Sequence, residues 1–77
     1  MKSIGIIGSG SWGTALGVLL AGNASRVTLW GREPGVIDAI NSRHENPDYL
    51  PGTRLPDNLA ATANLGDLAG SDAVFMV

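Results

Sequence analysis

The residues best placed for chemistry in this chain are glycines. "GIIGSGSWGTAL", beginning at Gly5, sets Gly8, Gly10 and Gly13 at the spacing G-x-G-x-x-G, with Ser9, Ser11 and Trp12 between them. An apolar run precedes the motif and a helical pattern follows it. In that setting each glycine has a task. Gly8 makes the tight turn off a strand, Gly10 lets a pyrophosphate approach a backbone without a Cβ, and Gly13 lets the helix pack closely on the strand. The helix N-terminus then offers unpaired N–H groups and a partial positive charge to phosphate oxygens. The chemistry is the holding of a dinucleotide. A phosphate-binding loop of the G-x-x-x-x-G-K-[ST] type also starts with the spacing of Gly8 and Gly13. Thr14 and Ala15 stand where it needs Lys and Ser or Thr, and the one lysine is Lys2. A glycine-rich turn without a ligand is the plain alternative, and the strand-to-helix setting weighs against it.

A second position bears on which dinucleotide is held. Sites for NAD place an Asp or Glu at the end of the second strand, against the ribose 2′-hydroxyl. Here that strand ends "LWGRE", which puts Gly31 at the acidic position and Arg32 next to it. Without a carboxylate, a 2′-phosphate meets no repulsion, and Arg32 can pair with it or stack on adenine. NADP is therefore the expected coenzyme and NAD the alternative. Glu33 argues for NAD if it faces the ribose. Otherwise it is an acid at the start of the next helix, where the helix dipole favours it.

The elements needed to position these residues are legible. Residues 3–7 read as a buried parallel strand, nearly all apolar. Trp12, Leu16, Leu19 and Leu20 recur at helical spacing and are expected to form the buried face of the first helix. Gly17 inside that helix implies close packing, and Gly22 and Asn23 end it. "RVTLW" is a second strand, and Pro34 opens a second helix with Val36, Ile37 and Ile40 on its apolar face. "ENPDYLPGTRLPDN" is a loop. Residues 59–62 read as a short strand, 65–69 as a turn or two of helix, and 73–77 as the last strand. Strands alternating with helices imply an α/β parallel sheet with crossover helices.

Composition narrows the function classes. The chain has 77 residues, 44% apolar and 16% charged, with a net charge of −2, which fits one small globular domain. A chain this short buries only about 60% of its unfolded surface. Its five basic residues are scattered, which disfavours a nucleic-acid partner. It has no cysteine, and its acids form no metal-spaced cluster. The start imitates a secretion signal, but Gly8 interrupts the apolar run too early. Residues 18–21 are far too few to insert in a membrane, so a cytoplasmic location is expected. His44, among polar residues at a helix end, is expected to be solvated. The close on "SDAVFMV" leaves an apolar strand with no cap, as expected of a piece of a longer chain.

The coenzyme turn, the strand "VTLWGR" and the loop "INSRHENPDYLPGTRLPDNLAAT" together resemble the bacterial NAD(P)-dependent glycerol-3-phosphate dehydrogenases. The loop match is the more specific, with Ile40, Asn41, Arg43, Asn46, Tyr49, Leu50, Pro51, Gly52, Leu55, Pro56, Leu59, Ala61 and Thr62 all in place. Asn64 departs from the Asp common before Leu65. The resemblance covers essentially the whole chain. It implies a truncated Rossmann-type sheet, residues 1–77 being the N-terminal part of a dinucleotide-binding domain. It further implies hydride transfer between dihydroxyacetone phosphate and sn-glycerol 3-phosphate, a small phosphorylated substrate that supplies glycerophospholipid synthesis. Ser11 and Trp12 would meet the coenzyme at the diphosphate turn, Arg32 at the adenosine 2′ side, and Tyr49 also. For Trp12 the alternative is core packing, and for Tyr49 it is anchoring the loop. The family's catalytic lysines and helical substrate domain would lie beyond Val77, so no catalytic residue is assigned here. The resemblance leaves homo-oligomerisation open. Two other readings remain: another NAD(P)-dependent dehydrogenase of similar fold, and a dinucleotide-binding sensor module without catalysis.

Overall fold

The structure, a computed structural model, describes residues 3–77. Lys2, the chain's only lysine, lies outside the described residues. Four strands form one parallel sheet: β1 (Ser3–Ile7), β2 (Arg26–Trp30), β3 (Leu59–Thr62) and β4 (Ala73–Met76). Their order is β3-β2-β1-β4. β1 pairs on both edges, with Ile4 opposite Val27 on one side and Ala73 on the other. That central position explains its nearly continuous apolar sequence, since both faces are covered. Helix α1 (Ser11–Ala21) joins β1 to β2, and α2 (Pro34–Arg43) joins β2 to β3. A 3-10 turn at Leu65–Leu68 leads into β4. The side chain of Asn64 caps that turn by accepting from the Gly66 N–H at 3.0 Å, a task that Asp would also perform.

The core is built from alternate strand positions. Ile4, Ile6, Val27, Leu29, Leu59 and Ala61 are buried, and Val36 and Ile40 of α2 and Leu55 of the loop join them. Each fully buried Leu, Ile or Val contributes about 1.5–3 kcal/mol of transfer free energy.

The sequence pattern misplaces the buried face of α1. The residues buried there are Gly13, Thr14, Gly17 and Ala21, while Trp12 is 83% and Leu19 72% exposed. Leu16 and Leu20 pack against the core only partly. The reason is the closeness of helix and sheet. A Cβ on Gly17 would lie 3.0 Å from Leu59 Cδ1 and 3.1 Å from Leu29 Cδ2. The contact line admits only small residues and pushes the large ones to the flanks, so core packing does not account for Trp12.

His44 is corrected as well. It caps the C-terminus of α2 in the left-handed region, at φ 53°. Its ring is half-buried, and Nδ1 is buried without a hydrogen-bond partner. The chain needs that turn to send the loop back over the sheet, where the Leu55 N–H donates to the His44 carbonyl at 2.6 Å.

Candidate functional site

Parallel strands present all their C-terminal ends on one edge of the sheet. The order reverses between β1 and β4, which makes the end of β1 the switch point where open α/β sheets bind ligands. The glycine motif sits there. Gly8 leaves the strand at φ +144°, a conformation that L-residues avoid, and its N–H donates to the Trp30 carbonyl at 2.8 Å. A Cβ on Gly13 would lie 2.4 Å from the Gly8 carbonyl oxygen, so the first turn of α1 rests directly on the loop backbone. Gly10 differs from both. It is exposed, and a Cβ there would meet nothing within 4 Å. Two of the glycines are required by the protein's own packing, whereas the third faces open space.

Gly10 is also the N-cap of α1, and no side chain caps that end. The first turn of the helix contains no acid. Its leading N–H groups and positive dipole end therefore face the switch point without a competing carboxylate. The Ser11 hydroxyl donates to the Asp48 carbonyl. A hydroxyl has one proton, so Ser11 offers a ligand its backbone N–H and only lone pairs from its side chain.

The end of β2 lies beside this turn. A Cβ on Gly31 would fall 1.9 Å from Ser9 Oγ and 2.8 Å from Ser9 Cβ. The Ser9 side chain occupies the space that a side chain at position 31 would need, and no acid stands there. Arg32 is exposed, with its guanidinium carbon 6.0 Å from the centroid of the Trp30 ring, at the limit of cation–π attraction. The Trp30 indole is fixed in turn by donating Nε1–H to the Ala63 carbonyl at 3.0 Å. Glu33 is the exposed N-cap of α2 and makes no side-chain capping bond. Tyr49 is half-buried and packs against the core, which gives it an anchoring task in the loop.

The structure thus gathers Gly8, Gly10, Ser11, Trp12 and Gly13 in one turn, and Ser9 joins that turn to the β2 end before Arg32. Tyr49 belongs to a loop that reaches the same turn through Asp48 and Asn46. Two further residues join this turn, Thr14 and Asn46, the first named above only against a phosphate-binding loop and the second only within the loop motif; both are completely or almost completely buried. The dipeptide Asn46-Pro47 does signal a turn. The structure shows one, with Asn46 Oδ1 accepting from the Asp48 N–H at 2.8 Å. Nothing local announces the long-range partners of Asn46. Among the described residues, no three His, Cys, Asp or Glu side chains gather as metal ligands, and no helix is long and apolar enough to cross a membrane.

A parallel α/β sheet with an open glycine turn and an uncapped helix at its switch point defines the dinucleotide-binding class of folds. Comparison with known proteins specifies it further. Residues 3–77 match the family model described as NAD-dependent glycerol-3-phosphate dehydrogenase N-terminus, and the chain belongs to that family. It is 55% identical over 78 residues to glycerol-3-phosphate dehydrogenase [NAD(P)+] of Paramagnetospirillum magneticum, with all of this chain and 28% of the relative covered. The enzyme of the same name from Streptomyces griseus is 52% identical over 73 residues, covering 94% of this chain and 22% of the relative. The crystal structure of glycerol-3-phosphate dehydrogenase from Coxiella burnetii superposes with a TM-score of 0.83 at 35% identity, covering 96% of this chain and 23% of that one. The Saccharomyces cerevisiae glycerol-3-phosphate dehydrogenase structure gives 0.84 at 34%, covering 99% and 26%. The chain spans about a quarter of the length of these relatives.

Proposed function

We propose that this chain is the coenzyme-holding portion of an NAD(P)-dependent oxidoreductase that interconverts dihydroxyacetone phosphate and sn-glycerol 3-phosphate. The observation that carries the reading is the contrast among the three glycines. Gly8 and Gly13 are needed by the fold, while Gly10 clears a space that no protein atom uses. A cleared backbone beside an uncapped helix N-terminus fits a diphosphate. The coenzyme, when bound, carries the hydride. The backbone N–H groups of the first turn of α1 hold its diphosphate, and the exposed Trp12 flanks it. Arg32 meets the adenosine 2′ side, with Tyr49 supporting the neighbouring loop. With Ser9 filling the acid's position and Arg32 adjacent, NADP is favoured over NAD. The reaction's substrate is a small phosphate ester, and the groups that polarise its carbonyl belong to other parts of the protein. The names of the relatives support glycerol 3-phosphate as substrate and a nicotinamide coenzyme, without choosing between NADP and NAD.

Equilibrium titration tests the reading. NADPH and NADH fluorescence is followed as chain is added, with Gly10→Val as the control. The parent should bind NADPH more tightly than NADH, and Gly10→Val should weaken binding by about 100-fold or more while keeping its far-UV circular dichroism. A parent chain that binds neither coenzyme overturns the proposal.

A further inference from the structure

The loop motif around Asn46 carries the strongest resemblance, yet coenzyme binding alone gives it no task. Asn46 is 1% exposed and lies 37 residues from the coenzyme turn in sequence. Its Nδ2 donates to the Ser9 carbonyl at 2.9 Å and to Thr14 Oγ1 at 2.6 Å. Its Oδ1 accepts from the Asp48 N–H at 2.8 Å. Thr14, fully buried, closes the triangle by directing its own hydroxyl at the Ser9 carbonyl, at 3.3 Å. The amide orientation follows from the partners. Turned over, it would face oxygen against the Ser9 carbonyl and NH2 against the Asp48 N–H. Both N–H donors and the carbonyl of Asn46 are used, so the network is fully satisfied. Buried networks of that kind fix a single arrangement of the backbone.

That backbone is the middle of the glycine motif. Ser9 stands between Gly8 and Gly10, two residues with little conformational restraint of their own. We infer that Asn46 is a positioning residue for the coenzyme: through the Ser9 carbonyl and Thr14 it holds the Gly8–Gly10 turn and the first turn of α1 in the one geometry that presents N–H groups to a diphosphate. The inference rests on the dinucleotide reading above and deepens it. Asn46 is fully occupied by protein partners, so it acts through the turn without touching the ligand. Its influence falls on the diphosphate. None of its hydrogen bonds goes to the end of β2, where Arg32 is proposed to hold the adenosine end.

Two probes separate the ends. NADPH uses the diphosphate turn, whereas adenosine 2′-monophosphate carries the adenine and the 2′-phosphate but no diphosphate. The dissociation constant of each is measured well below the melting temperature of every variant. Asn46→Ala should weaken NADPH by about tenfold, as expected for one to two hydrogen bonds, and leave adenosine 2′-monophosphate unchanged. Thr14→Val, which keeps its volume and loses the hydroxyl, should show the same selective loss to a smaller degree, and Thr14→Ser should restore the parent's value. A general loss of folded protein would weaken both probes by one factor, and that result in both Asn46→Ala and Thr14→Val would overturn the inference. Unchanged NADPH binding in Asn46→Ala would also overturn it. Should Asn46→Ala not fold, Thr14→Val decides: selective NADPH loss supports the inference, and parental affinity for both probes overturns it. A parent chain that binds no dinucleotide would instead overturn the functional reading.

Discussion

The glycines at positions 10 and 13 look equivalent in the motif and are opposites in the fold. Gly10 has φ −75° and ψ −165°, which any residue adopts, and its missing Cβ faces open space. Gly13 rests on the Gly8 carbonyl. Gly10→Val should therefore cost only about 1 kcal/mol of stability, the difference between glycine and an apolar residue at an N-cap, yet weaken NADPH binding by about 100-fold or more, because the side chain would enter the space proposed for the diphosphate. Gly13→Ala should cost about 3 kcal/mol of stability, the upper end for overpacking, because its contact is with rigid backbone. Thermal melts of the two variants beside coenzyme titrations check both statements. The proposed preference for NADP rests on Arg32, which is exposed beside the end of β2. Arg32→Ala should weaken NADPH by about tenfold or more through the lost charge-assisted contact, and NADH much less. Equal losses for the two coenzymes would mean that the side chain stacks on adenine instead.

At the scale of elements, the loop motif is largely architecture. The Asn41 side chain of α2 pairs with the backbone of β3: Nδ2 donates to the Ala61 carbonyl and Oδ1 accepts from the Ala61 N–H, both at 2.9 Å. It supplies β3 with the bonds that a neighbouring strand would make, and so covers part of an open sheet edge. Asn58 Nδ2 donates to the Ala21 and Ala24 carbonyls at 2.9 Å, tying the end of α1 to the entry of β3. Asn41→Ala should cost about 1–3 kcal/mol, since it leaves both backbone groups of a buried residue without partners. A urea melt measures this, and a loss below 0.5 kcal/mol would mean that water replaces the amide. The elements themselves were legible in the sequence. β1, β2 and β3 fall on the short runs read as strands, and Pro34 starts α2. The buried face of α1 was not legible. Hydrophobic spacing assumes that large residues face the core, and here the helix lies too close to the sheet for them. The glycine turn was legible because its constraint is local. The hold of Asn46 on Ser9 was not, because 37 residues separate the partners and only the folded loop brings them together.

At the scale of the whole molecule, large apolar side chains stay exposed on α1 and on the edge strand β4. Trp12 and Leu19 of α1 are exposed, as are Val74, Phe75 and Met76 of β4 and the adjoining Val77. Trp12, Ala15, Leu16, Leu19 and Val77 line a shallow apolar groove beside the glycine turn. Its walls carry no acid, base or cation, and the Trp12 indole N–H is their one side-chain donor. Reduction of a ketone by hydride needs its carbonyl polarised and a proton delivered to the developing alkoxide. Among the described residues there is no lysine, and the one histidine, His44, has its Nδ1 buried. On the reading proposed above, the groups that hold the coenzyme are separate from the groups that drive the transfer, and this chain supplies the first set. The 77-residue chain should bind NADPH and yet oxidise none of it with dihydroxyacetone phosphate. The assay follows absorbance at the NADPH band with chain in excess over coenzyme, after circular dichroism has shown the preparation to be folded. Oxidation faster than a buffer blank, reproduced by a second purification and lost in Gly10→Val, would place catalytic groups within these 77 residues and refute the separation.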